Sequence, residues 1–163
     1  MISLKEVHRS GRATATVVMF LCNHCPYVLH LNAGIVAVAK AYAAAGVAFV
    51  GISSNDADRY PADAPALMTA HAAAVGYTFP YLYDESQAVA RAYDAACTPD
   101  FYIFDAALCL TYRGRFDASR PNTDTPVTGA DIRAALNAVL AGQPVEGKQY
   151  PSGGCGIKWK AAG

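Results

Sequence analysis

Two cysteines three positions apart, Cys22 and Cys25, lie between two runs of contrasting pattern. Residues 16–21 are apolar and largely β-branched, which is typical of a buried parallel strand. Residues 28–45 are rich in Ala and Leu without an interior proline, and Gly46 stands where a helix would end. A strand, a Cys-x-x-Cys pair and a helix in immediate succession predict an α/β domain with a redox dithiol at the end of its first strand.

The position of Cys22 predicts its chemistry. A thiol at a helix N-terminus lies beside unpaired backbone N–H groups and the positive end of the helix dipole, so we expect a pKa below the free value of about 8.5. Cys22 is therefore the candidate nucleophile. Cys25, expected one helical turn deeper, is placed to attack the mixed disulfide that Cys22 forms and to release the reduced partner.

His24 is the third candidate catalytic residue. An imidazole near the sulfur of Cys22 would stabilise the thiolate by a hydrogen bond or a positive charge. A stabilised dithiol makes the couple more oxidising, which favours disulfide formation or exchange over strong reduction. The alternative is a solvated residue at the helix start.

Two other classes of function stay open for the cysteine pair. A structural metal site would use Cys22, Cys25 and either His30 or a distant cysteine, but structural zinc usually needs a second close-spaced pair, which the sequence lacks. A redox sensor would oxidise and reduce itself without turnover. The glycines form no phosphate-binding pattern after a strand, so we expect no flavin, nicotinamide or other organic cofactor, and no metal.

Three further cysteines make the total odd, and the chain is large enough to fold without disulfides. Cys109 lies in an apolar run, where we expect a small buried hydrophobe. Cys97 is either a third redox partner or a packing residue. Cys155 lies in a Gly-rich segment that could carry it to the dithiol as a third thiol, or that could serve only to turn the chain.

The size and the charge of the chain limit the kinds of partner that we expect it to bind. The 163 residues fit one domain, residues 1–163, with a C-terminal tail at about 143–163. Lys and Arg number 13, as do Asp and Glu, so no basic surplus exists for a nucleic acid. No run reaches the roughly 18 apolar residues of a membrane span, and residues 1–6 lack a secretory leader, so we expect a cytoplasmic protein without a membrane partner.

Hydrophobic runs and their flanking Gly and Pro residues predict alternating strands and helices, followed by a hairpin. The Thr128 to Asp131 spacing predicts a capping box for the last helix. The fold class is thus α/β, with a central mixed sheet flanked by helices. The predicted elements are strands at 16–21, 47–53, 81–83 and 101–104, a hairpin partner ending at 112, and helices at 28–45, 65–75, 86–93 and 132–141.

Several sequence blocks together resemble the thioredoxin-fold superfamily, and within it the peroxiredoxin-like group related to alkyl-hydroperoxide reductases and thiol-specific antioxidants. This resemblance extends from about residue 14 to the C-terminus. The blocks that carry it are Phe20 to Val28, Asn55-Asp56, Phe79 to Gln87, Cys97 to Phe101 and Gly154 to Trp159.

The resemblance implies a thiol-disulfide oxidoreductase or isomerase of the thioredoxin type. Pro99 would be a cis proline opposite the dithiol, and the backbone of Thr98 would be free to pair with an extended substrate strand. The implied partners are protein or small-molecule disulfides, with a dithiol reductant such as thioredoxin, or glutathione, to regenerate the protein.

The sequence departs from the family pattern at three points, and these departures limit what the resemblance implies about activity and assembly. Leu21 and Thr16 stand where thioredoxins have a Trp and a buried Asp, so no proton acceptor for the dithiol is evident. Cys22 stands where peroxiredoxins have a Thr or Ser, which makes direct peroxidase activity an alternative rather than the leading hypothesis. Only residues 2–13 precede the first core strand, so a sheet edge is left for a homodimer to cover.

Overall fold

The computed structural model describes residues 13–161, so the expectations placed on residues 1–12 lie outside the described part of the chain. The elements alternate as the sequence pattern predicts. The strands are β1 (Ala15–Phe20), β2 (Val47–Ser53), β3 (Tyr81–Tyr83), β4 (Cys97–Thr98), β5 (Asp100–Asp105), β6 (Leu110–Gly114) and β7 (Cys155–Gly156). The helices are α1 (Pro26–Ala43), α2 (Pro65–Val75), α3 (Ala88–Ala92) and α4 (Ala130–Leu140), with a short 3-10 helix at Pro61–Asp63.

Five strands form a mixed sheet in the order β3-β2-β1-β5-β6. Strands β2 and β3 extend β1 in parallel, whereas β5 pairs with β1 in antiparallel fashion and continues into the β6 hairpin. This is the thioredoxin-like mixed sheet that the sequence predicts. The remaining strands, β4 and β7, form a separate antiparallel pair.

Both faces of β1 are buried, which explains why its sequence is apolar throughout instead of alternating. Val17 and Met19 join a core cluster with residues of α1 and α4. Val18 and Phe20 point to the opposite face, into a second cluster that includes Ala90 of α3. Helices thus flank the sheet on both sides. The C-terminal end of β1, where the dithiol begins, is packed on both faces.

The first helix starts earlier than predicted, because Pro26 occupies its first turn and proline is well suited to that position. Cys25 is the N-cap residue. The expectation that Cys25 lies one turn inside the helix, with Cys22 at its N-terminus, is therefore wrong. Cys25 itself lies at the helix N-terminus, and Cys22 lies in the preceding loop.

Two other local predictions fail for reasons of tertiary structure. Cys109 is exposed, because it lies in the turn between β5 and β6, where its N–H donates to the carboxylate of Asp105. No capping box forms at α4, whose N-cap is Gly129 in the left-handed conformation. The buried carboxylate of Asp117 accepts the Gly129 and Thr128 N–H groups instead.

The described helices include none that is both long and apolar enough to cross a membrane.

Candidate active site

Cys22 and Cys25 meet beneath Thr98, at the junction of β1 and α1. Only 1% of Cys22 and 0% of Cys25 are exposed, and both are free thiols. The sulfur of Cys22 lies 3.4 Å from the Thr98 hydroxyl, and the thiol of Cys25 donates to the Thr98 carbonyl at 3.2 Å. The Thr98-Pro99 peptide bond is cis, which confirms that expectation. Thr98 thus contacts both thiols, one through its side chain and one through its backbone.

The two thiols share a hydrogen bond and compete for one proton. That hydrogen bond with Cys22 lowers the pKa of Cys25, as do donors from Cys155 and from the Val28 N–H, while burial opposes the change. The Thr98 carbonyl also opposes it, because it accepts a hydrogen bond only from the thiol form. Of the two thiols, Cys25 is therefore the one whose ionisation is favoured, next to the N-terminus of α1.

The pKa of Cys22 is raised, which corrects the expectation of a lowered value. The hydrogen bond with Cys25 is the first cause, followed by burial and by the negative charge of Asp63. The Thr98 hydroxyl and the Cys25 N–H act in the opposite direction but do not balance these causes. The loop position of Cys22 explains the difference, since the helix N-terminus favours the neighbouring Cys25.

His24 lies between the dithiol and a buried carboxylate. Its Nδ1 is 2.7 Å from Oδ2 of Asp63, in an ion-pair contact that is not aligned as a hydrogen bond. The imidazole is 35% exposed and stacks in parallel with the ring of Tyr60. The His24 side chain therefore contacts a buried carboxylate on one side and solvent on the other. The alternative that it is merely a solvated residue is wrong.

Asp63 is the functional residue that the sequence analysis missed. It is fully buried, and its carboxylate accepts hydrogen bonds from the Asn23 N–H and the Asn55 amide, both at 2.8 Å. It ends the 3-10 helix that follows β2. Polar residues in a loop after a β-strand were the available signal, but nothing in the residue pattern distinguishes Asp63 from other loop carboxylates.

The C-terminal tail completes the site. β7 pairs with β4 so that Cys155 is opposite Thr98 and Gly156 is opposite Cys97. The Cys155 side chain lies beside the Cys25 thiol and helps to lower the pKa of Cys25. The expectation that the Thr98 backbone is free for a substrate strand is therefore wrong, because the chain's own tail occupies that edge.

Cys97 does not join the thiols, although its neighbour Thr98 contacts both members of the dithiol. Successive residues of a strand point to opposite sides. The Cys97 sulfur is directed at the carbonyls of Pro99 and Ser152, at 3.6 and 3.9 Å. Burial and the nearby carboxylate of Asp100 raise its pKa to about 11. Of the two candidate third thiols, only Cys155 contacts the dithiol.

Cys22, His24 and Asp63 offer sulfur, nitrogen and oxygen atoms within 4.8 Å of one another, a donor set that zinc accepts. This is not the ligand set considered from the sequence. His30 Nε2 lies 3.0 Å from the Ser119 hydroxyl and is not in the group. The same three residues could therefore bind a metal, or adjust the charge at the Cys22 sulfur.

Two solved structures are similar to this chain in both sequence and fold. An uncharacterised conserved protein from Geobacillus kaustophilus is 57% identical, with a TM-score of 0.93 over 98% of this chain and 83% of that one. A hypothetical protein from Sinorhizobium meliloti 1021 is 46% identical, with a TM-score of 0.93 over 96% and 85% of the two chains.

A third solved structure is that of a secreted Mycobacterium tuberculosis disulfide oxidoreductase homologous to Escherichia coli DsbE. At 18% identity and a TM-score of 0.58, over 80% of this chain and 85% of that one, it shows the thioredoxin-like fold alone.

Comparison with curated proteins finds no match. The model of the AhpC/TSA family matches residues 1–113, more than half of the chain and the part that contains the Cys22–Cys25 pair. Together with the thioredoxin-like sheet, this match shows that the chain is a thioredoxin-fold redox protein belonging to the AhpC/TSA family.

Proposed function

We propose that this protein is a thiol-disulfide oxidoreductase that uses Cys22 and Cys25 as its redox dithiol. The observation that carries the proposal is the contact of both sulfurs with Thr98 at the N-terminus of α1, with a third thiol, Cys155, against Cys25. Thiol-disulfide exchange needs a thiol that attacks as its thiolate and a nearby resolving thiol, and these contacts supply both.

Cys22 is the proposed nucleophile, because it faces half-exposed His24 while Cys155 covers Cys25. Cys22 transfers its proton to the Cys25 thiolate and attacks a substrate disulfide. One substrate sulfur leaves, takes the proton back from Cys25, and is released as a thiol. The Cys25 thiolate then attacks the Cys22 sulfur, which expels the second substrate thiolate and closes the Cys22–Cys25 disulfide.

Regeneration requires a separate reductant. A dithiol donor such as thioredoxin, or two molecules of glutathione, would return two electrons and two protons to the Cys22–Cys25 disulfide. Cys155 is proposed as an alternative partner of Cys25: its thiolate can attack the Cys25 sulfur, form a Cys25–Cys155 disulfide and release Cys22 as a thiolate. This reaction moves the disulfide without changing the number of electrons.

The test is turnover of bis(2-hydroxyethyl) disulfide by the full-length protein with glutathione as reductant. Replacing the nucleophile in Cys22→Ser should abolish turnover, whereas Cys25→Ser should accumulate a mixed disulfide on Cys22, detected by mass spectrometry. Cys109→Ser is the matched control, because this exposed cysteine is in a turn away from the dithiol. Full activity in the Cys22→Ser variant would refute the assignment, and self-oxidation without turnover would identify a redox sensor.

One observation favours a thiol-dependent peroxidase as the second candidate. The Thr98 hydroxyl lies 3.4 Å from the Cys22 sulfur, so a hydroxyl is present at the thiols although it comes from a different part of the chain. A peroxidase would consume hydrogen peroxide with a thiol reductant. Thr98→Val should then lose that activity, while peroxide consumption no faster than that of free glutathione would exclude this candidate.

A further inference from the structure

The tail crosses the dithiol as a strap, which we define as residues 152–156, with attachment points at both ends. At its N-terminal end, the carbonyl of the preceding Tyr150 accepts the Arg115 N–H at 3.0 Å, and the Ser152 hydroxyl donates to the Gly114 carbonyl at 2.7 Å. After it, the Ile157 N–H donates to the Ala96 carbonyl at 3.1 Å, and the Ile157 side chain is buried in the second core cluster.

A further anchor holds the chain beyond Ile157. Gln87, which is almost fully buried, donates from its amide to the Lys158 carbonyl at 2.9 Å and accepts the Lys160 N–H at 2.9 Å. The Lys158 N–H donates to the Asn55 side chain, also at 2.9 Å. Because both ends are fixed, the strap can open locally without release of the whole tail.

The strap lies where an extended substrate would have to pair. β4 is a two-residue strand, and among residues 13–161 its ladder partner is β7. An extended polypeptide that delivered a disulfide to Cys22 and Cys25 would bind by adding a strand to this edge. β7 already does so, and it presents the sulfur of Cys155 to Cys25 as such a polypeptide would present its own.

The dithiol under the strap is closed to solvent, since only 1% of Cys22 and 0% of Cys25 are exposed. Gly154 packs so closely that an added Cβ would lie 2.1 Å from the Thr98 carbonyl oxygen. Any substrate must therefore displace part of the strap, and the extent of displacement increases with substrate size.

We propose that the strap selects low-molecular-weight disulfides and excludes extended polypeptides from the dithiol. A small disulfide needs only local movement of the strap, whereas a polypeptide strand must break the pairing of Thr98 with Cys155. This inference rests on the proposed exchange activity for its substrate class, but the barrier itself is measurable without turnover.

The variant and its control both lie in the strap. In Gly154→Ala the new methyl group meets the Thr98 backbone and forces β7 away from β4, whereas in Gly156→Ala it meets nothing closer than the Ala96 carbonyl at 4.0 Å. Neither glycine has a positive φ, so alanine introduces no backbone strain at either position.

Two readouts separate this inference from the proposed function. The first is labelling of the dithiol by iodoacetamide and by a maleimide carrying a 5 kDa polyethylene glycol, followed by peptide mass spectrometry. Gly154→Ala should raise labelling by the large reagent at least tenfold and labelling by iodoacetamide much less. Gly156→Ala should match the wild type. Equal labelling of the three proteins by the large reagent would overturn the proposal.

The second readout is turnover of bis(2-hydroxyethyl) disulfide and of insulin. The wild type should reduce the small disulfide and reduce insulin at least tenfold more slowly per disulfide, and Gly154→Ala should remove most of that difference. A wild type that reduces both equally well refutes the selection. A wild type inactive on both, with the labelling difference intact, refutes the exchange activity alone.

A milder variant covers the case in which Gly154→Ala does not fold. Ser152→Ala removes the hydroxyl that donates to the Gly114 carbonyl and leaves β7 unchanged. It should raise labelling by the large reagent several-fold. No change in this folded variant would contradict the role of the strap.

Discussion

Replacement of Asp63 by Asn tests whether the buried carboxylate controls Cys22. The Asp63 carboxylate lies within 4.8 Å of the Cys22 sulfur. Two unit charges at that limit interact by about 3.5 kcal/mol at an effective dielectric constant of about 20. A change of about 1.4 kcal/mol corresponds to about a factor of ten, and the interaction exceeds this energy, so we expect Asp63→Asn to increase the thiolate fraction of Cys22 at least tenfold.

The direction of the change in the pKa of Cys22 follows from charge alone. The carboxylate disfavours the Cys22 thiolate and raises the pKa of Cys22, so its removal lowers that pKa. Replacement of His24 by Ala acts in the opposite direction, because it leaves the Asp63 charge without its partner at 2.7 Å. If His24 acts through Asp63, its replacement has no further effect in the Asp63→Asn protein, whereas a direct action on Cys22 persists there.

The assay is the rate of Cys22 alkylation by iodoacetamide between pH 5 and 9, read by peptide mass spectrometry in a Cys25→Ser background, where the coupled thiol is absent. Asp84→Asn is the control, because Asp84 is also a buried carboxylate that accepts side-chain and backbone hydrogen bonds but lies outside the group around Cys22. An unchanged or slower rate in folded Asp63→Asn would refute the electrostatic argument.

Three further outcomes are expected. Cys155→Ala should raise the pKa of Cys25 and slow its alkylation, because the Cys155 side chain helps to lower that pKa, whereas Cys97→Ala should leave the rate unchanged. Gln87→Ala should cost about 2–4 kcal/mol in urea unfolding, since it removes hydrogen bonds to three backbone groups. The folded-state pKa of Cys25 is below its ordinary value of 9.0, so the stabilisation that its thiolate provides is complete above pH 9 and is lost as pH falls. The urea midpoint of the reduced protein should therefore rise with pH below 9 more steeply than that of Cys25→Ser.

The sequence was sufficient for the sheet and for the dithiol. The bounds of β2 and α2 agree with the predicted bounds, because each run is apolar or Ala-rich and is bordered by Gly or Pro. Cys22 and Cys25 are adjacent to each other as predicted, since local spacing alone brings them together. The expected thiolate was assigned to Cys22 because Cys22 was placed at the helix N-terminus, whereas the helix begins at Pro26 and its N-cap is Cys25.

The surroundings of the dithiol could not be predicted in the same way. Asp63 reaches Asn23 across 40 positions and Cys155 reaches Thr98 across 57, and no local pattern encodes such contacts. A two-residue strand such as β7, which follows one glycine and contains another, carries no periodicity. A lone carboxylate is usually exposed, so the burial of Asp63 follows only from its partners.

These distant segments act on the two thiols in opposite directions. Cys155 and the N-terminus of α1 stabilise a thiolate on Cys25, which favours the dithiol over the disulfide and raises the reduction potential. The charge of Asp63 destabilises a thiolate on Cys22, which favours the disulfide and lowers the reduction potential. The tail and Asp63 thus both adjust the reduction potential of the Cys22–Cys25 pair. The tail acts through Cys25, and Asp63 acts through Cys22.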